Sequence, residues 1–406
     1  MNLDALPAHA ARFLLSPEAM YLGIEALMEG TAAALREGDG ILVDRMSWTV
    51  PTLHPEIYNA QNVWHVDRPF EAHQRFFSKR TTDLYRSSPF WILMEGEGTE
   101  VRCPIIPDDP APRFPVLRSF AEAGFTDYLA MIQPPRNSYE KAPVTFATRR
   151  PGGFSDADVE SLRALLPLLT LILTLNGQRA RSRDVLETYV GIDAASRVLD
   201  GNIRRGEMID VEAAVCFCDL RDFTRLSQEL SQEDLLQLLH EAFEVVVGAM
   251  QEYDGDVLKF IGDAVLAVFR RRPEETDLAP AAQRAVRAAL LVIQRAEQAH
   301  LRRLEAGLSP LKLGLAVHVG HVAYGNIGAP TRLDFTVIGA TVNVASRLEG
   351  FCKTLGAPLV LSEGVVRLLR EGEPTPLLRM QDFGPQPVRG VAEPLRIFGG
   401  FPQPPG

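Results

Sequence analysis

The sequence predicts an α+β protein with at least two domains. Its 406 residues exceed the usual size of one domain, so two domains are expected, with three as an alternative. The composition, 46% hydrophobic and 23% charged, leaves enough apolar residues for sizeable cores. In the second half of the chain, short β-rich runs alternate with long segments of helical periodicity. Their order of strand, helix, hairpin, helix and strand is that of a ferredoxin-like sheet with helices on one face.

The elements of the second half follow from local patterns. Ala213–Leu220 is short, apolar and rich in β-forming residues, which indicates a buried strand. Ser231, with Asp234 three residues later, forms a capping box that opens an amphipathic helix. A tight turn with glycine separates two strand-like runs and predicts a hairpin over 256–269. The other predicted elements are a helix over 279–304, strands near 311–319, 322–326 and 334–337, a helix over 340–352, and strands over 358–361 and near Leu378 and Leu395.

The first half, residues 1–155, has weaker patterns and no catalytic motif. Helices are predicted near 8–29 and 115–123, and strands over 124–131 and 144–148, of which the first is central in its sheet.

A nearly continuous helix is predicted from Ser155 to Arg205. Its leucine stripe suits pairing with a copy of itself in a parallel coiled coil, and packing on its own domain is an equal alternative. We therefore place a first domain at 1–155 that extends into the helix to about residue 178, a helical linker at 156–205 and a second domain at 206–406.

Charge and composition limit the classes of partner. The net charge of −10 argues against nucleic acid or an anionic membrane surface. The apolar run Leu162–Leu175 contains Pro167 and is too short to span a membrane, and no signal segment opens the chain. Four cysteines without ligand spacing indicate a reducing compartment, and His318 and His321 are more typical of core or surface residues than of metal ligands. A cytoplasmic protein is expected.

Two acidic residues stand at the ends of predicted strands. Asp219 closes the run Ala213–Leu220, and Asp263 lies in the hairpin turn after Lys259-Phe260-Ile261-Gly262. A carboxylate at the end of a buried strand needs a compensating cation. Oxygen ligands of this kind suit Mg²⁺ or Mn²⁺ bound together with substrate phosphates.

A third motif joins these two acids. The segment Asp334–Gly339 predicts a strand and a glycine break, and the helix that follows carries Asn343 and Arg347 on one face. Together these motifs, in this order, resemble the class III nucleotidyl cyclases, and in particular the bacterial-type adenylyl cyclases. The resemblance covers about residues 208–401.

The resemblance implies a site that holds two metal ions, Mg²⁺ or Mn²⁺. Asp219 and Asp263 would be the metal ligands, with the carbonyl of Leu220 as an extra one. Phe223 and Thr224, which follow in the same motif, are expected to contact the substrate. The ions would activate the ribose 3′-hydroxyl for in-line attack on the α-phosphorus and neutralise the departing pyrophosphate.

The helix residues have implied roles in the same reaction. Arg347 would meet the charge that develops on the α-phosphate, a contribution of roughly 3–4 kcal/mol for one such donor. Asn343 would orient the ribose.

Lys259 and Thr336 fall on the two purine-selecting positions of the family. A Lys ammonium only donates hydrogen bonds, which suits the N1 acceptor of adenine and opposes the N1–H of guanine. The predicted reaction is therefore conversion of ATP to 3′,5′-cyclic AMP and pyrophosphate. Guanylyl cyclase activity is the alternative, because the Thr336 hydroxyl both donates and accepts.

The sequence departs from the family pattern at two positions. Asp222 stands where a glycine is usual, and it either disturbs the loop or adds a third acid near the metals. Val391 stands where many members have a triphosphate-binding lysine, and Arg389 is the predicted substitute. These departures keep open a second alternative, an inactive cyclase-like domain that acts as a dimeric signalling module.

The resemblance also predicts a homodimer with active sites at the subunit interface. Lys259 and Asp263 lie in one hairpin, yet in this family they serve different active sites. In the first half, the segment 144–159 and the leucine-rich helix after it resemble the last strand and helix of GAF-type sensor domains. That resemblance implies an α/β regulatory domain with an unidentified small-molecule effector.

Overall fold

A computed structural model describes residues 3–52, 57–76, 86–95, 98–107, 109, 113–133, 141–371 and 378–402. The chain divides into two compact units, residues 1–185 and 186–406, and each is described by itself.

The first unit contains a six-stranded sheet in which every pairing is antiparallel. Its strands are β1 (Arg45–Pro51), β2 (Ile57–His65), β3 (Glu71–Phe76), β4 (Glu100–Pro104), β5 (Asp127–Met131) and β6 (Val144–Thr148), in the spatial order β3-β2-β1-β6-β5-β4. The predicted strand at 144–148 is confirmed. The predicted strand at 124–131 starts later, because Gly124 has a positive φ of 80° that ends the preceding helix. It pairs with β4 on one side and with β6 on the other, so it is an interior strand of the sheet, in line with the expectation.

Helices cover this sheet and supply much of its core. They are α1 (Ala8–Leu14), α2 (Ile24–Ala33), α3 (Pro89–Glu95), α4 (Leu117–Glu122) and α5 (Asp156–Val190), the last of which runs past the end of the unit. Alternate residues of β1, namely Met46 and Trp48, pack with the leucine stripe of α5. Leu162, Leu165 and Leu169 in that stripe are fully buried. This part of the helix therefore packs on its own unit, the alternative to the coiled coil.

The predicted helix over 155–205 is interrupted. Helix α5 ends at Val190, Gly191 follows with a φ of 88°, and α6 (Ile192–Leu199) continues for eight residues. The left-handed backbone at Gly191 breaks the helical hydrogen-bond series, since only glycine adopts it without strain.

The second unit contains an eight-stranded mixed sheet. Its strands are β7 (Met208–Leu220), β8 (Asp256–Ile261), β9 (Ala264–Arg270), β10 (Leu313–Ala329), β11 (Arg332–Ile338), β12 (Leu359–Ser362), β13 (Leu378–Gln386) and β14 (Leu395–Pro402). The spatial order is β13-β14-β12-β10-β7-β9-β8, with β11 paired to β10. The β8–β9 hairpin is confirmed.

Helices of the second unit lie on both faces of its sheet. They are α7 (Phe223–Glu229), α8 (Gln232–Glu252), α9 (Ala279–Glu305), α10 (Ala340–Glu349), α11 (Phe351–Leu355) and α12 (Glu363–Glu371). Cys216 and Cys218 of β7 face the core with α8, α9 and α12. Val215 and Phe217 face the opposite side, where Ala345 of α10 packs. The prediction of helices on one face was wrong, because β7 is apolar on both sides and requires cover on both.

Local signals located most elements of this unit. Ser231 caps α8, and its Oγ accepts a hydrogen bond of 3.1 Å from the N–H of Asp234, as the capping box predicts. The two strands predicted at 311–319 and 322–326 are one strand, because Gly320 stays paired with Ala213 of β7. The helix predicted over 340–352 divides at Gly350, and α12 was not predicted.

No helix in the described ranges combines the length and apolar character needed to cross a membrane.

Candidate functional site

The carboxyl groups of Asp219 and Asp263 lie side by side. Asp219 closes β7 opposite Gly314 of β10, and Asp263 lies in the turn that joins β8 to β9. Burial, followed by the neighbouring Asp263, raises the pKa of Asp219 to about 7. The fold thus brings together two acids that are 44 positions apart in the sequence.

This donor set fits a hard divalent cation. Two carboxylates are the usual protein contribution to an Mg²⁺ site that substrate phosphates complete. Among the described residues, no three His, Cys, Asp or Glu side chains form a group that would enclose a metal by themselves. Leu220 is buried, and its N–H donates to Asp219 Oδ1 at 3.0 Å, which orients that carboxylate. The role of the Leu220 carbonyl as a ligand stays a prediction.

Asp222 keeps the backbone form that a glycine would give the loop. Its φ of 60° and ψ of 24° are left-handed, a conformation that Asp tolerates better than most residues. Its carboxylate lies 3.1 Å from Lys353 Nζ, and this ammonium lowers the pKa of Asp222. The acid is therefore neutralised by Lys353, and the loop conformation is preserved.

A third carboxylate that the sequence reasoning missed lies near the two aspartates. Glu349 ends α10, and burial together with Asp263 raises its pKa, while the Arg221 guanidinium opposes that rise. Asp219 experiences the charge of Glu349 as well. No local pattern marks Glu349, because only the packing of α10 on β7 and β10 brings it to the acids.

The predicted base-reading residues lie on strands β8 and β11 and not at the two aspartates. Lys259 on β8 forms an ion pair with Asp334 on β11. Asp334 and Thr336 are two positions apart in that strand and so point to the same face. Thr336 is buried, whereas Lys259 and Asp334 are partly accessible. Asp334 was not predicted as a site residue, although it opens the motif that contains Thr336.

Arg347 and Asn343 are exposed on α10, as their spacing predicts. Arg347 Nη1 donates to the carbonyl of Arg389, which places the helix residue against the last loop. The side chain of Arg389 is exposed. Val391 is partly buried and packs against the apolar cluster of α11 and β14, which explains an apolar residue there.

Arg347 and Glu349 point in different directions from helix α10. At ~100° per residue, Arg347 and Glu349 are separated by about 200° around the helix axis. Glu349 lies on the side of Asp219 and Asp263, and Arg347 lies towards the last loop. The structure therefore groups the predicted metal-binding acids apart from the predicted catalytic pair of the same chain.

The other predicted residues have defined surroundings. Phe223 is partly buried against the core beside α8, while Thr224 is exposed, and contact of either with a nucleotide stays a prediction. His318 Nδ1 lies 2.8 Å from Ser362 Oγ, and His321 Nδ1 lies 2.9 Å from Asp210. The two histidines thus have separate partners, in agreement with the interpretation that they do not form a metal site.

Comparison with known proteins supports a catalytic domain in the second unit. Residues 209–398 match the model of the adenylate and guanylate cyclase catalytic domain. Adenylate cyclase 1 of Rhizobium meliloti is 30% identical over 231 residues, which are 56% of this chain and 34% of that protein. The adenylate cyclase of Anabaena cylindrica is 33% identical over 201 residues, which are 48% of this chain and 38% of that protein.

The match to each curated relative thus covers little more than a third of the relative's length. Among solved structures, the adenylyl cyclase CyaB from P. aeruginosa is 28% identical, with a TM-score of 0.44 over 49% of this chain and 97% of that chain.

Proposed function

Because residues 209–398 are a class III adenylyl/guanylyl cyclase catalytic domain, we propose that this chain converts ATP to 3′,5′-cyclic AMP and pyrophosphate. The observation that carries the proposal is the meeting of Asp219 and Asp263 at the end of β7. Two adjacent carboxyls at a partly buried strand end are the arrangement that a divalent cation and a triphosphate complete.

The two acids are the proposed ligands of the metal ions. Asp219 and Asp263 would hold two Mg²⁺ or Mn²⁺ ions, with the Leu220 carbonyl beside them. When bound, the ions lower the pKa of the ribose 3′-hydroxyl and neutralise the triphosphate. Phe223 and Thr224 directly follow this loop and are the proposed contacts to the nucleotide on this side.

The residues of α10 and the last loop act on the reacting phosphate. Arg347 is exposed, and its planar guanidinium suits the negative charge that develops on the α-phosphate. Asn343, one turn earlier on the same face, would orient the ribose. Arg389 lies in the loop that Arg347 contacts, and we assign to it the triphosphate contact that Val391 cannot make.

Base selection is assigned to Lys259 and Thr336. The ion pair with Asp334 directs the Lys259 ammonium to the face that Thr336 shares. A protonated Lys offers donors only, which favours the N1 acceptor of adenine. A donor that faces the N1–H of guanine costs roughly 1–3 kcal/mol, so selectivity of about ten- to a hundred-fold is expected.

We propose a homodimer with sites at the subunit interface. The opposed directions of Glu349 and Arg347 support it, because one chain presents its acids and its catalytic pair on different sides. Exposed apolar side chains beside Lys259 support it as well, since patches of this kind mark protein contacts. They are Phe260 and Ile261 on β8 and Leu333 and Ile338 on β11.

The first unit is proposed as a regulatory, GAF-like domain with a small-molecule effector. Its sheet is covered by helices, and α5 leads from its core directly to Gly191 and α6 of the catalytic unit. An effector regulates only if it binds two arrangements of the dimer unequally. Residues 181–406, compared with the full chain at a matched dimer fraction, should differ in turnover. Equal turnover, together with no response of the full chain to small molecules, contradicts regulation.

Two alternatives have specific support. Guanylyl cyclase activity is favoured by Thr336, whose hydroxyl can donate to the guanine carbonyl. An inactive signalling module is favoured by Val391. The adjacent Asp219 and Asp263 and the exposed Arg347 argue against inactivity, and Asp222 no longer supports it because it preserves the loop.

The deciding experiment incubates the full chain with ATP or GTP and Mg²⁺ or Mn²⁺ and identifies the product by mass spectrometry. Cyclic AMP should form, and Asp219→Ala or Asp263→Ala should each reduce turnover at least about a hundred-fold with unchanged circular dichroism. Asp382→Ala, which removes a surface partner of Arg396, is the matched control and should retain turnover. Wild-type turnover in either site variant would refute the metal assignment. Cyclic GMP as the main product would mean that the substrate is GTP and not ATP.

A further inference from the structure

Gly314 leaves room for two charged side chains at the metal site. It lies directly opposite Asp219 in the antiparallel pair of β10 and β7. A Cβ on Gly314 would stand 2.5 Å from Glu349 Oε1 and 2.6 Å from Arg221 Nε, closer than real Cβ contacts. Both side chains therefore occupy the space over the glycine that any other residue would fill.

This space is on the Asp219 side of the sheet. Residues directly opposite each other in an antiparallel pair point to the same face, with Cβ atoms ~5 Å apart. The Glu349 carboxylate and the Arg221 guanidinium consequently stand beside the Asp219 side chain. Arg221 Nη2 also donates to the carbonyl of Ala357 at 3.1 Å, which anchors the guanidinium.

Acidic side chains outnumber basic ones around Gly314. Three carboxyl groups, those of Asp219, Asp263 and Glu349, interact with one another, and Arg221 is the cation that opposes Glu349. Of the described residues, no three acids form a closed ligand group, so Glu349 lies outside the ligand set. Carboxylates just beyond the ligands commonly orient them and tune the affinity of the site.

We propose that Glu349 is a positioning residue for the divalent cation, placed over Gly314 beside Arg221, and that it strengthens cation binding by Asp219 and Asp263 without being a ligand. Its negative charge raises the attraction for a cation at the two aspartates, and its oxygens are acceptors for the waters of a hydrated ion. This inference rests on the proposed function, because it assigns a role within the proposed metal site.

The test measures binding of Mn²⁺ alone to the full chain, by the electron paramagnetic resonance signal of free Mn²⁺ and without nucleotide. Glu349→Gln should weaken Mn²⁺ binding about ten-fold, and Glu349→Asp, which keeps the charge, should recover part of the loss. Gly314→Ala retains every charge but displaces Glu349 and Arg221, so it should weaken binding in the same direction. In the activity assay, the Mn²⁺ concentration for half-maximal rate should rise, while kcat at saturating Mn²⁺ changes less than about three-fold.

Two matched controls separate this effect from general damage. Glu252→Gln removes a surface partner of Arg295, and Gly364→Ala adds a Cβ 3.1 Å from Val319, both in the same unit and away from the acids. Both should bind Mn²⁺ as the wild type does.

Each outcome has a defined meaning. Wild-type Mn²⁺ affinity in Glu349→Gln, or a loss of kcat at saturating Mn²⁺ with unchanged affinity, overturns the role of Glu349. Absence of Mn²⁺ binding by the wild type overturns both this inference and the proposed metal site. Weakened binding in Glu349→Gln and Gly314→Ala, in a wild type that forms no cyclic nucleotide, supports the role of Glu349 and overturns the proposed reaction.

Discussion

At the scale of single residues, Lys259, the proposed base-reading residue, shows how an ion pair fixes a charged side chain. Its partner Asp334 belongs to a neighbouring strand, so the ammonium is held by tertiary structure and not by its own hairpin. An exposed ion pair of this kind adds little stability, typically ~0–1 kcal/mol. Its value lies in orientation, because the pair faces the same side as the buried Thr336.

Substitution of Lys259 should change the preferred base. Lys259→Glu places an acceptor where the wild type has donors, so ATP turnover should fall and the ratio of GTP to ATP use should rise about ten-fold or more. The measurement is kcat/KM for ATP and for GTP. Arg379→Glu, a charge reversal on β13, is the control and should leave the ratio unchanged. A wild type that already prefers GTP contradicts the assignment of Lys259.

His318 gives a prediction about stability and pH. Burial lowers its pKa to about 4 from the ordinary value of 6.5. The unfolded chain therefore binds a proton in this window that the folded chain does not bind. The contribution of His318 to stability is complete above pH 6.5 and is lost as the pH falls towards 4, by roughly 2 kcal/mol at about pH 5.

The check compares the wild type with His318→Gln, which keeps a hydrogen-bonding group beside Ser362 but does not titrate. Urea midpoints followed by circular dichroism should fall more steeply from about pH 7 to pH 5 in the wild type than in the variant. Parallel slopes would show that folding does not lower the pKa of His318.

At the scale of elements, the short helix α6 is fixed by one partly buried acid. Asp193 accepts from the Tyr324 hydroxyl at 2.5 Å and pairs with Arg270 at 2.6 Å and with Arg197 at 2.9 Å. Burial would raise the pKa of Asp193, but these partners outweigh burial and lower it. The helix that follows Gly191 is thus attached to β9 and β10 by charge as well as by packing.

Loss of this acid should destabilise the second unit. Asp193→Ala leaves Arg270 partly buried with Asp256 as its remaining acidic partner, which should cost about 3 kcal/mol. The measurement is the urea midpoint of the full chain. Asp200→Ala, an exposed position just after the same helix, should change it by less than about 0.5 kcal/mol. Equal midpoints for Asp193→Ala and the wild type would contradict the structural role.

Elements governed by local chemistry were predictable from the sequence, and those governed by pairing were not. The cap at Ser231 and the β8–β9 hairpin depend on neighbouring residues, so both are confirmed. The length of β10 depends on its partner β7, which continues pairing across Gly320 where the local pattern indicates a break. For the same reason, the placement of helices on both faces required knowledge of the whole sheet.

The residues of the candidate site also fall into two groups, those that local patterns predict and those that only tertiary contacts reveal. Asp219 and Asp263 were predicted from their positions at strand ends, and the structure brings them together. Glu349 and Asp334 were not predicted, because each becomes part of the candidate site only through its interaction with a residue that is distant in the sequence. The consequence of Asp222 was also undecided, since only the fold reveals Lys353 beside it.

At the scale of the whole molecule, two inactive variants should restore each other if the sites are shared. Asp219→Ala and Arg347→Ala, mixed in equal amounts, give heterodimers with one site that carries both defects and one that carries neither. Random pairing makes half of the dimers mixed, so recovery approaches about a quarter of wild-type turnover. The assay is cyclic nucleotide formation at a protein concentration where sedimentation shows dimers.

The matched control mixes Asp219→Ala with Asp263→Ala. Both defects lie in the metal-binding half, so every site in every dimer stays defective and no recovery is expected. No recovery in the first mixture would mean that each chain builds its own site. Recovery in this control would mean that the two aspartates of one site come from different chains.

Glu349 and Arg347 lie on opposite sides of α10, and in an enzyme with shared sites this arrangement requires two chains for activity. The rate of cyclic nucleotide formation would then depend on how many chains are paired. While most chains are single, the concentration of pairs rises with the square of the chain concentration. Doubling expression then raises cyclic nucleotide output about four-fold, until pairing saturates. If the proposed dimer is the active form, gene dosage alone would therefore change output more than proportionally.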